Sequence, residues 1–180
     1  MAAYTRPPAP DADLRRVEEL CNTAAFLHGT DALAEAGSAA AWLAARSPGA
    51  PRPDEAELAL LVAVREDVRA YLADPHDAGA RAALTRHARG LLGPPRWEGA
   101  GQVGLGAGAG GAAAAAAARA LEGLAHADLT GRRARLKVCR APECRYVFYD
   151  RSPANNGAWC SMEICGARHK MRSYRTRRRP

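Results

Sequence analysis

Bulky side chains are scarce in this chain of 180 residues. It has two Phe, three Trp and five Tyr, and much of its 48% apolar share is alanine, which buries little area per residue. No run of eighteen bulky apolar residues is present, which argues against a membrane-spanning helix. Met1 to Pro10 lacks the basic start and apolar run of a secretory signal. We therefore expect a cytoplasmic protein with no membrane partner.

Acidic residues are almost missing from one end of the chain. Residues 131–180 carry 14 Lys and Arg but only 3 Asp and Glu, a net charge of +11. Residues 1–130, called the body below, carry 12 Lys and Arg and 16 Asp and Glu, a net charge of −4. An acidic body joined to a strongly basic end indicates a polyanionic partner for that end, and a nucleic acid is the obvious class. A solvated tail without a partner is the alternative.

The body is predicted to be mostly helical. Its first helix should carry an apolar stripe and end at Gly29, and the stripe consists of Leu14, Val17, Cys21, Ala24 and Leu27. Cys21 is therefore expected to be a core residue. Asp54 and Glu57 have the spacing of a capping box, which predicts the start of a second long helix.

The second half of the body predicts further helices around a glycine-rich segment. A helix is expected over residues 77–92, where Gly93-Pro94-Pro95 ends it. Arg96-Trp97-Glu98 and Gln102-Val103-Gly104-Leu105 predict two short strands around Gly99–Gly101, with a flexible loop as the alternative. Seven alanines, Ala112 to Ala118, then begin another helix. The sequence thus predicts an α+β fold, with a mostly helical domain at 1–130 and a small module at 131–180.

Four of the five cysteines lie in that module, which we call the finger: Cys139, Cys144, Cys160 and Cys165. They form two C-x4-C pairs separated by fifteen residues. Without a secretory signal, such pairs favour metal binding over disulfides. Zinc prefers four tetrahedral thiolates in a closed structural site, so the sequence predicts one structural zinc ion with these ligands. Reduced structural cysteines and an iron–sulfur cluster are the alternatives.

The residues between the cysteine pairs predict a strand and a turn. Tyr146-Val147-Phe148-Tyr149 is rich in β-forming residues, and Asn155-Asn156-Gly157 is a strong turn signal. We expect the strand to form a hairpin with Ala158-Trp159. A knuckle, a hairpin and a helix, with ligands at the knuckle and at the helix start, describe a treble-clef finger.

The last segment predicts an amphipathic helix that begins between Cys160 and Glu163, with Ser161 as its N-cap. An apolar stripe of Ile164, Ala167, Met171 and Tyr174 is expected to pack on the hairpin. The opposite stripe and its flanks are basic and are the predicted nucleic-acid contacts: Arg168, Lys170, Arg172, Arg175, Arg177, Arg178 and Arg179.

Three segments of the finger resemble the bacterial CGNR zinc finger: Cys139-Arg-Ala-Pro-Glu-Cys144, Tyr146-Val-Phe-Tyr-Asp-Arg-Ser152, and Trp159-Cys-Ser-Met-Glu-Ile-Cys-Gly-Ala-Arg168 with Lys170. Family members pair this finger with a mostly helical N-terminal ABATE domain. The resemblance implies a stress-induced transcription regulator that contacts DNA through the finger and senses a ligand through the body. Two features depart from the family. Ala167 replaces the signature Asn, and the turn 152–158 carries no positive charge where relatives often have Arg.

Other functions would depend on other features of the sequence. Basic helices and treble clefs also serve RNA- or ribosome-associated proteins, which makes RNA the alternative partner. The five histidines are scattered and lie near no paired carboxylates, so we predict no catalytic residues and no enzyme activity. Asn22, Thr23 and His28 are the predicted ligand-binding residues for a small-molecule effector, with capping of the helix end as the alternative. The body could also serve as a homodimerisation unit.

Overall fold

The computed structural model describes residues 7–99, 102–108 and 110–177. The chain forms six α-helices within these ranges: α1 (Ala12–Cys21), α2 (Ala36–Ala44), α3 (Glu55–Ala73), α4 (Ala78–Leu91), α5 (Ala112–Leu129) and α6 (Ala167–Arg177). Three small antiparallel strand pairs accompany them: β1 (Ala24–Ala25) with β2 (Thr30–Asp31), β3 (Arg96–Glu98) with β4 (Gln102–Gly104), and β5 (Leu136–Val138) with β6 (Val147–Tyr149). The predicted α+β class is confirmed.

Local sequence signals set several of these boundaries. Asp54 Oδ1 accepts from the Glu57 N–H at 2.8 Å, and the Glu57 carboxylate accepts from the Asp54 N–H at 3.1 Å, which is the predicted capping box. Asp77 caps the start of α4 with its side chain alone, which accepts from the N–H of Ala80. The strands predicted at 96–98 and 102–105 also form, with Trp97 opposite Val103, and the second of them ends at Gly104.

The first helix is shorter than predicted. It ends at Cys21, and Leu27 lies in a separate 3-10 turn, Phe26–His28. Thr23 Oγ1 donates to the carbonyl of Leu20, and the backbone then enters β1. Gly29 ends the 3-10 turn rather than α1, with φ of +66°. The helical spacing of Leu27 was therefore accidental.

The alanine-rich helix α5 forms the centre of the body. Its buried face consists mainly of small side chains, including Ala113, Ala117 and Ala120. These residues let α1 approach closely: a Cβ added to Gly123 would lie 2.6 Å from the carbonyl oxygen of Asp13. Close approach of two helices gains dispersion contacts that compensate for the small area that alanine buries.

The finger hairpin belongs partly to the core of the body. Leu136 and Val147 are 1% and 0% exposed and pack among the residues of α1, α3 and α5. Phe148, the next residue of β6, packs instead with Cys139, Cys144 and Cys165. Adjacent side chains of a strand point to opposite faces, so β6 connects the body core to the cysteine cluster. The predicted boundary at residue 130 follows the end of α5, but packing continues across it.

The final helix extends away from this packing. None of the eleven described residues of α6 is buried, and Met171 and Tyr174 are 53% and 46% exposed. The prediction that the stripe of Ala167, Met171 and Tyr174 packs on the hairpin is therefore wrong, and Ala167 is exposed. The helix is held near its start, where Ile164 packs against the cysteine cluster, and by the ion pair of Arg172 with Glu143. In the part of the chain that the structure describes, every helix is too short or too polar to cross a bilayer.

Candidate metal centre

The first cysteine pair lies at the turn of the β5–β6 hairpin. Cys139 follows β5 directly, and its N–H donates to the carbonyl of Tyr146 at 2.8 Å. The N–H groups of Cys144 and Arg145 both donate to the carbonyl of Ala141, which curls the chain between the two thiols. Arg145 completes the curl with a φ of +52°. Strand β6 thus pairs with β5 through this knuckle, and not with Ala158-Trp159 as predicted. The Ala158 carbonyl accepts from the Arg140 N–H instead.

The second cysteine pair brackets a single turn that leads into α6. Cys160 precedes the N-cap Ser161, whose hydroxyl accepts from the N–H of Ile164, as predicted. Cys165 lies in a π-helical turn, Met162–Gly166. A Cβ on Gly166 would lie 3.1 Å from the Met162 sulfur and 3.4 Å from Trp159, so a glycine fits this turn best.

The loop between the two pairs is held by a buried carboxylate. Asp150 is 1% exposed, and its oxygens accept from the N–H groups of Ser152 at 2.9 Å and Gly157 at 2.7 Å. Burial alone would raise the pKa of Asp150, but these hydrogen bonds outweigh it and lower the pKa. The ionised Asp150 therefore fixes the return of the chain to Cys160.

The four cysteine sulfurs converge as a metal site requires. All four Sγ atoms lie within 4.8 Å of one another, and the Cys144–Cys160 and Cys160–Cys165 sulfurs are 3.6 and 3.7 Å apart. A tetrahedron with Zn–S bonds of about 2.3 Å has edges of about 3.8 Å. Disulfide sulfurs would be about 2.05 Å apart, and the described cysteines are all free thiols. The sulfurs are also too close to one another to surround the several irons of an iron–sulfur cluster. The predicted structural zinc site is confirmed.

The thiols of this cluster oppose one another's ionisation. Hydrogen bonds from Cys144 and Cys160 lower the pKa of Cys139, and the same bonds to Cys139 raise the pKa values of Cys144 and Cys160. Burial, followed by the charges of neighbouring thiolates, raises the pKa of Cys165 to about 12. In the absence of a metal, a thiolate at Cys139 therefore keeps the neighbouring cysteines protonated. A bound Zn²⁺ removes this conflict, because a coordinating thiol is deprotonated outright.

A comparison with known families agrees with this geometry. Residues 135–178 match the family model of the CGNR zinc finger. The match covers the β5–β6 hairpin, all four cysteines and α6, and the segment is accordingly called the CGNR finger below. No curated protein matches the chain. The match does not extend to the body, so the resemblance of residues 1–130 to an ABATE domain stays a prediction.

The residues predicted to contact nucleic acid lie along the exposed helix α6. Arg168, Lys170, Arg175 and Arg177 are exposed and form no ion pair within the described residues. Arg172 donates to Glu143 at 2.7 Å, which links α6 to the zinc knuckle. Arg178 and Arg179 lie outside the described residues.

The predicted ligand-binding residues of the body have mainly intramolecular partners. Asn22 follows α1, and its side chain donates to the Val147 carbonyl at 2.8 Å and accepts from the Val147 N–H at 2.9 Å. Thr23 Oγ1 accepts from Arg65. His28 is exposed in the 3-10 turn. Asn22 therefore joins the body to β6, a contact that local sequence patterns could not reveal.

Two buried arginines of α3 complete the junction. Arg65 is 3% exposed and donates to Asp31 at 2.7 Å, whereas Arg69 is 1% exposed and donates to the carbonyls of Cys21 and Ala24. Glu66 accepts from both of them, and it also pairs with Arg145 of the zinc knuckle at 3.1 Å. Glu66 thus connects the body to the residue that follows Cys144. Arginine is usually a surface residue, so the residue type alone predicts exposure for both of them.

Replacing Asn22 by Ala should separate the body from the CGNR finger locally. The change leaves the N–H and C=O of the buried Val147 without partners, so we expect a loss of roughly 1–3 kcal/mol in unfolding free energy. Urea unfolding of the zinc-loaded chain measures this loss. Asn156→Ala is the control, because Asn156 is exposed on the loop of the finger. Equal stability of the two variants would contradict the role of Asn22.

Proposed function

We propose that this protein is a DNA-binding transcription regulator whose CGNR finger holds α6 against the duplex. The observation that carries the proposal is the exposure of α6. A helix with no buried described residue and a row of cations projects from a rigid metal site. Phosphates are the complementary ligand for such a row, and they attract it over a distance.

The zinc site supports this role through its architecture. The knuckle lies on a hairpin, and the second ligand pair lies at the start of the following helix, which supports the proposal of a treble-clef finger. Arg168, the second residue of α6, follows Cys165 by three residues, so the metal site would hold its backbone, and it is our candidate for reading a guanine in the major groove. Residues nearer the end of α6 suit phosphate contacts, where precise geometry matters less.

The body would act as a ligand sensor or a dimerisation unit rather than as a catalyst. Its net charge of −4 makes it a poor direct partner for DNA. Its junction with the finger offers a physical route between the two parts. The Asn22–Val147 and Glu66–Arg145 contacts link helix packing in the body to the zinc knuckle.

Binding to duplex DNA should weaken steeply with salt. If about four of the seven basic residues predicted to contact nucleic acid neutralise phosphates, log affinity falls with log salt with a slope of about −3.6. Affinity should therefore fall about 150-fold between about 50 and 200 mM salt. Fluorescence anisotropy with a labelled duplex measures the slope. Arg175→Gln should reduce it by about one, and Arg86→Gln on α4, which removes an equal charge from the body, should not.

The same titration with single-stranded RNA and single-stranded DNA separates the competing functions. Stronger binding to RNA at every salt concentration would favour the RNA- or ribosome-associated alternative. A zinc-loaded chain that ends at Ala167 removes the basic helix. If it binds duplex DNA as well as the intact chain does, the proposal fails.

A further inference from the structure

A cleft on the body collects positive charge that the predicted DNA surface does not use. It has a volume of about 430 Å³ and lies between α1, α5 and the end of α2. Four of the twelve basic residues in residues 1–130 line it: Arg15, Arg16, Arg46 and Arg119. Glu19 is the one acidic residue among its described lining, whereas the body as a whole is acidic. The lining of the cleft therefore has the opposite sign of charge to the body as a whole.

Three of the four guanidinium groups are held in place around the cleft. Arg15 donates to the carbonyl oxygens of Ala9 and Pro10 at 3.1 and 2.6 Å. Arg16 pairs with Asp13 at 3.1 Å. Arg46 pairs with Glu19 at 3.1 Å. Each group keeps further N–H donors, because a guanidinium carries five.

The wall of the cleft beside Arg46 is aromatic. The Arg46 guanidinium lies over the ring of Trp42, 4.1 Å from its centroid, and the Arg46 Nη1 donates to the Trp42 carbonyl. This stack fixes the orientation of the planar group. Leu20 and Ala116 supply apolar surface to the lining.

Arg119 is the residue that the fold leaves unexplained. It lies half-buried on α5 and has neither a hydrogen bond nor an ion pair with any described residue. Partial burial of an unpaired cation costs free energy, and an anion between Arg119 and the other arginines would offset that cost. The other buried or half-buried arginines of the body, such as Arg65 and Arg69, have partners within the chain.

We infer that this cleft binds a small organic dianion, with its oxyanion group held by Arg119 and the arginines of α1 and its apolar part near Trp42. Guanidinium groups bind carboxylate and phosphate with the same forked geometry, so the shared chemistry is an oxyanion. A concave pocket of this volume suits a small ligand, whereas a DNA backbone needs an open surface. The inference rests on the sensor role proposed for the body and identifies the chemical class of its effector.

Calorimetric titration of the full-length, zinc-loaded protein tests the inference without DNA. The probes are phenyl phosphate, phthalate and inorganic phosphate. We expect one site per chain, a dissociation constant below about 1 mM for one of the two organic probes, and weaker binding of inorganic phosphate. The tighter organic probe assigns the ligand to phosphate monoesters or to dicarboxylates. The indole N–H signal of Trp42 should shift during an NMR titration with the same probe.

Variants locate the site. Arg119→Gln and Arg16→Gln should each weaken the organic probe about tenfold or more, since each removes a charge-assisted contact. Arg86→Gln, on α4, should leave the affinity unchanged. Thermal unfolding of each variant without probe verifies that it folds.

Two results would overturn the inference: no saturable binding of any probe up to about 10 mM, or equal affinity in the Arg119→Gln and Arg86→Gln variants. A third result is that Arg119→Gln binds duplex DNA more weakly and none of the probes binds the protein. This result would also overturn the inference, and it would assign the cleft to the nucleic-acid interface. Loss of duplex binding by the α6 truncation alone tests the DNA proposal separately. The two proposals can therefore fail independently.

Discussion

Replacement of Cys144 by Ser is expected to unfold the CGNR finger and to reduce bound zinc well below one ion per chain. Ligation by four thiolates supplies roughly 10–16 kcal/mol of apparent free energy, far more than the few apolar contacts of this cluster. The same result is expected at Cys139, Cys160 or Cys165. Metal analysis by mass spectrometry and circular dichroism before and after chelation measure the effect.

The body should survive this change in a weakened form. Its helices pack without the zinc, but Leu136 and Val147 contribute to its core, so unfolding of the hairpin should lower its melting temperature. Cys21→Ser is the matched control. Cys21 lies buried at the end of α1, far along the chain from the cluster, and its variant should retain one zinc ion. Full helical stability and unchanged zinc content in Cys144→Ser would contradict the metal site.

Replacement of Arg69 by Ala should produce the second-largest loss of stability, roughly 1–3 kcal/mol in unfolding free energy for each of the two carbonyls that lose their donor. The change leaves the carbonyls of Cys21 and Ala24 without their buried donor, and it deprives Glu66 of one of its arginine partners. It also removes the guanidinium that lies 4.6 Å from the centre of the Phe26 ring. The end of α1 and the β1–β2 pair should loosen together.

Guanidinium chloride unfolding of the zinc-loaded protein gives the magnitude. Arg86→Ala is the control, because Arg86 is exposed on α4, and we expect a change within about 0.5 kcal/mol. A loss below about 1 kcal/mol for Arg69→Ala would show that the buried charge is not needed. Hydrogen exchange at the end of α1 would distinguish local loosening from global unfolding.

The zinc site could be predicted from the sequence because its chemistry is local. The spacing of the two C-x4-C pairs identifies the four ligands. The capping residues Asp54 and Ser161 likewise accept hydrogen bonds from residues only three positions further along the chain. The partner of β6 could not be predicted in this way. The turn signal at Asn155-Asn156-Gly157 predicted a hairpin between β6 and Ala158-Trp159, which does not form. The loop is instead held by the hydrogen bond from the Gly157 N–H to Asp150.

The remaining differences arise from tertiary contacts that periodicity does not encode. Apolar spacing on α6 predicted a packed face, but Met171 and Tyr174 are 53% and 46% exposed, and neither belongs to an apolar cluster of the described residues. Conversely, Arg65 and Arg69 carry the residue type of a surface position and are buried, since the loop after α1 offers them carbonyls and carboxylates. The basic cleft was missed for the same reason, because its arginines come from α1, from α5 and from the segment that follows α2.

The alternation along β6 restricts how this protein could be recombined with others. Val147 packs in the core of the body and Phe148 packs in the cysteine cluster of the finger. The hydrogen bonds of Asn22 to Val147 fix the position of β6 along the end of α1. A chimaera joined at residue 130 would place a foreign hairpin against α1. Its strand would have to direct alternate side chains to the same two faces as Val147 and Phe148, or the packing on both faces would be lost. The unit that evolution or an engineer can exchange is therefore larger than the metal-binding segment and includes the end of the first helix.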